Sequence, residues 1–135
     1  MLMTSENPPD TLSNFNDLLG LEFVSSAAGV YVLQLQLRPE HLNLQGFVHG
    51  GVLCTLLDTA MSRAFLGDIP GQHRSGATLE LKVNFLKGVR NGTLTATGRM
   101  VSETRRTAYV EGEIRADNNS LVARSSGTIL QVDQR

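Results

Sequence analysis

The sequence predicts an α+β domain in which an antiparallel sheet wraps around one long buried helix. Apolar side chains surround most of the axis over Gly50–Gly67, and a helix of this kind is buried on most sides. Two segments with strand character precede this helix and four follow it, which is typical of the α+β class. Only a curled sheet could cover one helix so completely. The free face of that sheet would still need cover, which favours self-association.

The remaining elements follow from local patterns. A short helix is predicted over Thr11–Leu19, where apolar residues recur at helical spacing before a glycine. Residues 1–10 are expected to form a flexible lead, and residues 11–135 a single domain. Asn118-Asn119 predicts a hairpin turn. Alternating or β-rich runs predict strands at Leu21–Ser25, Val30–Leu37, Thr78–Phe85, Thr93–Val101, Thr107–Arg115 and Leu121–Val132.

Composition and charge exclude several classes of function. The 135-residue chain has a formal net charge of −1, so it has no overall attraction to nucleic acid or to an anionic membrane. Its one cysteine, Cys54, excludes a disulfide framework and gives no metal cluster. No signal-peptide pattern is present, and no run approaches the roughly 18 apolar residues of a membrane helix. We therefore expect a cytoplasmic protein without nucleic-acid or membrane partners.

The start of the long helix has features of an oxyanion site. His49-Gly50-Gly51 lies where the preceding loop becomes helix. The first N–H groups of a helix lack partners within it and lie at the positive end of its dipole. Glycines there allow close approach of a ligand, so a developing oxyanion could bind. The alternative is that the glycines only form a tight entry into the helix.

Asp58 lies on a polar stripe of this otherwise apolar helix. Thr55, Asp58, Thr59 and Ser62 follow one another at helical spacing and share one face. A buried carboxylate is costly unless it is paired, and in such a helix it is a candidate functional group. The alternative is that the stripe faces solvent through a gap in the sheet.

The run from Asn43 to Gly51 (NLQGFVHGG), followed by Asp58 and the strand Thr78–Phe85, resembles the PaaI-like hotdog-fold acyl-CoA thioesterases of phenylacetate degradation. The resemblance extends from about residue 20 to residue 132. It implies a hotdog fold, hydrolysis of an acyl-CoA to free acid and CoA, and no cofactor, since coenzyme A is part of the substrate. It also implies dimers joined edge to edge, often paired into homotetramers, with the active site at the dimer interface.

The same resemblance implies roles for individual residues. The Gly50 amide, with His49 beside it, would polarise the thioester carbonyl. Asp58 would be nucleophile or general base, Asn43 would orient the attacking water or the thioester, and Thr78 would help place that water. Supporting contacts to the substrate are expected from Gly51, Ser62, Arg90, Arg105 and Arg106.

Several alternatives stay open from the sequence. The three arginines could contact the phosphates of CoA or be ordinary solvated charges in turns. The His49 imidazole could itself be a base. Cys54 is expected to act as a small hydrophobic residue, and His41 to lie on the surface. Other activities on the same fold are an acyl-thioester hydratase or dehydratase, or non-catalytic acyl-CoA binding, and the acyl group is undetermined.

Overall fold

The computed structural model describes residues 14–67 and 75–132. The expected lead over residues 1–10 and the first turn of the predicted N-terminal helix lie outside these ranges. Within these ranges the chain forms two α-helices and six strands. They are α1 Phe15–Leu19, β1 Glu22–Ala27, β2 Val30–Gln36, α2 Gly50–Leu66, β3 Ser75–Phe85, β4 Thr93–Glu103, β5 Thr107–Arg115 and β6 Leu121–Val132, with a short 3-10 helix at Pro39–His41.

All six strands join one antiparallel sheet in the order β1-β2-β4-β5-β6-β3. Helix α2 lies across one face of the sheet and contacts five of the strands, β2 to β6. This arrangement confirms the predicted hotdog architecture. Among the residues that the structure describes, no helix has both the length and the apolar character needed to cross a membrane.

Glycines in the central strands let α2 approach the sheet closely. A Cβ built on Gly98 of β4 would lie 2.3 Å from the backbone oxygen of Ala60 in the helix. Built on Gly112 of β5, it would lie 3.1 Å from both Leu57 and Met61. Because these glycines place no side chain between the helix and the strands, the buried face of α2 packs directly against the sheet backbone.

A single chain covers only one side of α2. Eight of its side chains are buried, among them Leu56, Leu57 and Ala60. Asp58 and Ser62 on the opposite side are only half-buried. The sheet therefore buries one side of α2 fully and leaves the polar stripe half-covered, which is the alternative that the sequence left open for Asp58.

The outer face of the sheet also differs from expectation, because it is polar. Arg99 pairs in register with Glu111, and Glu113 with Arg124, in alternation with the buried positions. This face has no need of an apolar cover, so it does not argue for self-association. Three of the exposed large apolar side chains lie on and just after the edge strand β3, at Leu79, Phe85 and Leu86.

Candidate active site

Asp58 lies beside two hydroxyl groups. Thr78 Oγ1 donates a hydrogen bond of 2.7 Å to Asp58 Oδ1. Ser62 Oγ lies 3.2 Å from Thr78 Oγ1 and 3.5 Å from the same carboxylate oxygen. Since the single hydroxyl proton of Thr78 is directed at Asp58, Ser62 must donate if those two hydroxyls are hydrogen-bonded. The structure thus brings together three of the residues that the sequence nominated.

The position of Thr78 depends on an irregularity of β3. The pairing of β3 with β6 shifts between Thr78 and Glu80, so Leu79 is an extra residue without a partner. Such a bulge changes the direction of the side chains on either side of it. Thr78 precedes the bulge and reaches α2, while Leu79 is 58% exposed.

At the start of α2, one backbone amide is free and the next is occupied. His49 is the N-cap, and its Nδ1 accepts a 2.8 Å hydrogen bond from the Gly51 N–H. No described residue accepts from the half-buried Gly50 N–H. The predicted donor Gly50 is therefore available to a ligand, whereas the Gly51 amide, expected to support substrate binding, is used in the cap.

This cap also limits what the His49 imidazole can do. An imidazole that accepts at Nδ1 in the neutral form carries its proton on Nε2, so it has no further lone pair for a substrate proton. A Cβ on Gly51 would lie 3.0 Å from His49 Nδ1. The glycine therefore makes room for the cap, and the geometry favours a structural role for the ring.

Asn43 organises the loop before the helix. Its Oδ1 accepts hydrogen bonds from the amides of Gln45 at 2.9 Å and Phe47 at 3.1 Å. Its own N–H donates to Phe47 O at 2.7 Å. Its Nδ2 group meets no acceptor among the described residues, so the donor end of the amide is available for a carbonyl or a water.

His41 was expected on the surface, and this expectation is wrong. The side chain is fully buried, with Nδ1 accepting from the Arg38 N–H at 2.9 Å and Nε2 lying 2.7 Å from Leu19 O. Both ring nitrogens are paired, so burial leaves no polar atom unsatisfied. The His41 carbonyl in turn accepts the His49 N–H at 2.8 Å. His41 thus links α1 to the start of α2.

The three arginines lie at two separate places. Arg90, in the β3–β4 connection, donates from Nη1 to Gln45 O at 3.1 Å, and its guanidinium carbon lies 3.9 Å from the centre of the Phe47 ring. Arg105 and Arg106 are exposed in the turn between β4 and β5. Strand β5 begins after that turn and is separated from β3 by β6. Its first residue lies level with the Thr78 end of β3.

An apolar cleft of about 370 Å³ adjoins the free Gly50 amide. The aromatic rings of Phe47 and Phe85 form part of its walls, and the cationic side chain of Lys87 also lines it. The lining residues are Phe47, Val48, Gly50, Leu53, Phe85, Leu86, Lys87 and Gly88. An apolar group bound here would lie beside the N-terminus of α2.

Cys54 lies one turn before Asp58 on α2 and is half-buried. Burial raises the pKa of its thiol, and the nearby Asp58 carboxylate raises it further. The group therefore stays a neutral thiol where a nucleophilic cysteine would be a thiolate. Within the described part of the chain, no three His, Cys, Asp or Glu residues are placed to hold a metal ion.

Gly50 and Asp58 cannot meet at one reacting atom within a single chain. They are eight residues apart on the same helix, which corresponds to about 12 Å along its axis. Catalysis needs a reacting atom about 3 Å from both the nucleophile and the oxyanion donor. A Cβ on Gly50 would contact the Phe85 ring at 3.4 Å, whereas Asp58 contacts Thr78 near the other end of β3.

Comparison with known proteins identifies the family. A family model described as the thioesterase superfamily matches residues 45–123, more than half of the chain. The chain belongs to the thioesterase superfamily. A proposed esterase of Sulfurisphaera tokodaii is 32% identical to this chain over 130 residues. The match covers 93% of this chain and 95% of the relative.

Two further matches agree with this assignment. The PaaI protein from the phenylacetic acid degradation operon of E. coli superposes with a TM-score of 0.80 at 25% identity, covering 87% of this chain and 83% of that protein. Human acyl-coenzyme A thioesterase 13 is 24% identical over 103 residues, covering 75% of this chain and 72% of the relative. The PaaI-like resemblance seen in the sequence is confirmed, and the chain is a thioesterase-type hydrolase.

Proposed function

We propose that the protein hydrolyses acyl-CoA thioesters to a free acid and CoA, in a site shared between two copies of the chain. The observation that carries the proposal is the arrangement along α2. A carboxylate supported by hydroxyl groups lies at Asp58, and an unoccupied amide lies about 12 Å away at Gly50. Each chain thus holds both halves of a thioesterase site, too far apart to serve the same carbonyl.

The chemistry suits these groups. In the general-base route, water attacks the carbonyl carbon while Asp58 accepts its proton, and the Gly50 amide of the other copy stabilises the oxyanion. The carbon–sulfur bond then breaks, and the leaving CoA thiolate takes up the proton that Asp58 accepted, which restores the carboxylate. Since Thr78 donates to Asp58 Oδ1, Oδ2 remains to accept from water. Asn43 Nδ2 can donate to the thioester or to the water.

The edge strand β3 offers the route to such a dimer. It has a partner, β6, on one side only, and an open strand edge can pair with a second copy. In antiparallel pairing about a two-fold axis, the Phe85 end of one β3 lies beside the Thr78 end of the other. Gly50 of one copy then approaches Asp58 of the second, and pairing of such dimers would give the expected homotetramer.

The free thiol assay over a panel of acyl-CoA esters tests this function. We expect wild-type protein to release CoA and Asp58→Asn to lose at least about a hundredfold in turnover, the lower range for loss of a proton acceptor. Asp17→Asn, an exposed carboxylate outside the site, is the matched control. A product that has gained water and still carries CoA would instead support a hydratase. Saturable binding of acyl-CoA without turnover would support a binding protein. An acyl-CoA substrate is consistent with the predicted cytoplasmic location.

A further inference from the structure

The Asn43 loop needs support from outside itself. Leu44 is fully exposed at the tip of the turn and Gln45 is exposed beside it. The turn is closed by hydrogen bonds to Asn43 and by an isolated bridge between Leu42 and Val48. Apolar burial therefore contributes little at the tip, although this loop carries Asn43 and leads directly into the Gly50 amide.

Arg90 supplies that support from the β3–β4 connection. Its guanidinium carbon lies over Phe47, 3.9 Å from the ring centre, while Nη1 donates to Gln45 O. The same Nη1 atom packs against Gly46, whose φ is +87° and where a Cβ would lie 2.7 Å away. A cation that packs against a ring and also donates a directed hydrogen bond is better supplied by arginine than by lysine.

We infer that Arg90 is a positioning residue for the Asn43 loop, rather than the phosphate ligand that the sequence suggested. This inference rests on the proposed function. Phe47, the residue that Arg90 contacts, also donates its backbone N–H to Asn43 Oδ1. By holding Phe47 in place, Arg90 therefore helps to fix the position of the Asn43 side chain. Arg105 and Arg106 are both exposed in the β4–β5 turn. They are the arginines left to meet the phosphates of CoA.

Two substrates with the same acyl group separate these roles. One is the acyl-CoA, and the other is the N-acetylcysteamine thioester, which carries no phosphate. We expect Arg90→Met to lower kcat by the same factor on both, about tenfold, the size expected for loss of one hydrogen bond to a charged group. Arg90→Lys should recover only part of the loss, and Arg99→Met, on the outer face of the sheet, should leave both activities unchanged.

Arg106→Met should show the opposite pattern, with a higher KM for the acyl-CoA and unchanged kinetics on the N-acetylcysteamine thioester. The inference is overturned if Arg90→Met follows the Arg106→Met pattern, or if it alters neither substrate.

Hydrogen exchange makes the inference testable apart from activity. The Gln45 and Phe47 amides donate to Asn43 Oδ1, so they should exchange faster in Arg90→Met than in wild type or Arg99→Met. Unchanged exchange at both amides would overturn the positioning role. If wild-type protein hydrolyses neither substrate, the proposed function fails, and the exchange measurement alone decides whether Arg90 holds the loop.

Discussion

At Asp58, the helical spacing of the sequence places a neighbour, Ser62, on the same face, and the structure shows the two oxygens 3.5 Å apart. The stronger partner, Thr78, is twenty residues away on another element. Its role was suggested by family resemblance and could not follow from spacing, because the contact requires the β3 bulge and the packing of β3 against α2. The local environment of this carboxylate can be probed through the cysteine one turn away.

The pH dependence of Cys54 alkylation reports on that environment. Burial and the Asp58 carboxylate both raise the pKa of this thiol, so its thiolate should form only at a higher pH than in the urea-unfolded chain. In Asp58→Asn the second cause is removed, and the midpoint of the rate profile should fall towards the unfolded value while staying above it. The measurement is iodoacetamide labelling rate against pH. Equal midpoints for folded and unfolded wild type would contradict the assigned environment.

At the scale of elements, periodicity predicted α2 and the strands β2, β4, β5 and β6, because each of them buries a regular set of positions. The edge strands β1 and β3 were also predicted, although neither contains a fully buried residue. Strand bounds shifted where tertiary pairing extends a strand, as in β3, which begins at Ser75 rather than at Thr78. The burial of His41 was missed, because its partner Leu19 lies 22 residues away and no local pattern marks it. The role of His49, by contrast, can be derived from one local contact, its hydrogen bond to Gly51.

Replacing the His49 cap should affect stability more than chemistry. We expect His49→Ala to lower the free energy of unfolding by about 1 kcal/mol, because the Gly51 N–H loses its acceptor. His49→Asn can accept through its side-chain oxygen, so it should recover most of this loss and retain turnover. Urea denaturation and the thiol-release assay measure both effects. A stable His49→Asn variant with turnover lower by a hundredfold or more would show that the imidazole is a base.

At the scale of the whole molecule, one chain folds around a single core, but Asp58 and the Gly50 amide lie far apart within it. Composition predicted one domain without nucleic-acid or membrane character, and these features of the sequence say little about assembly. The family resemblance implied a dimer, and the half-covered polar stripe on α2 and the open edge of β3 are the structural features that support it. The apolar residues Leu79 and Phe85 on that strand would be covered by a second copy.

The division of the site between two chains can be tested with two variants that are each inactive. Asp58→Asn removes the carboxylate. Gly50→Pro removes the amide hydrogen at the first position of α2, where proline is well tolerated, and the extended conformation of His49, φ −66° and ψ 137°, is compatible with a following proline. Gly50→Ala keeps the N–H and is the control for the added carbon, which would lie 3.4 Å from Phe85.

The decisive measurement is the activity of these two inactive variants after they are refolded together in equal amounts. In a mixed dimer, the Asp58 of the Gly50→Pro chain faces the Gly50 of the Asp58→Asn chain, so one of its two sites is intact. Random pairing makes half of the dimers mixed, and the account predicts recovery of about a quarter of wild-type activity. No recovery, with mixed dimers present, would show that Asp58 and Gly50 do not act together across the interface.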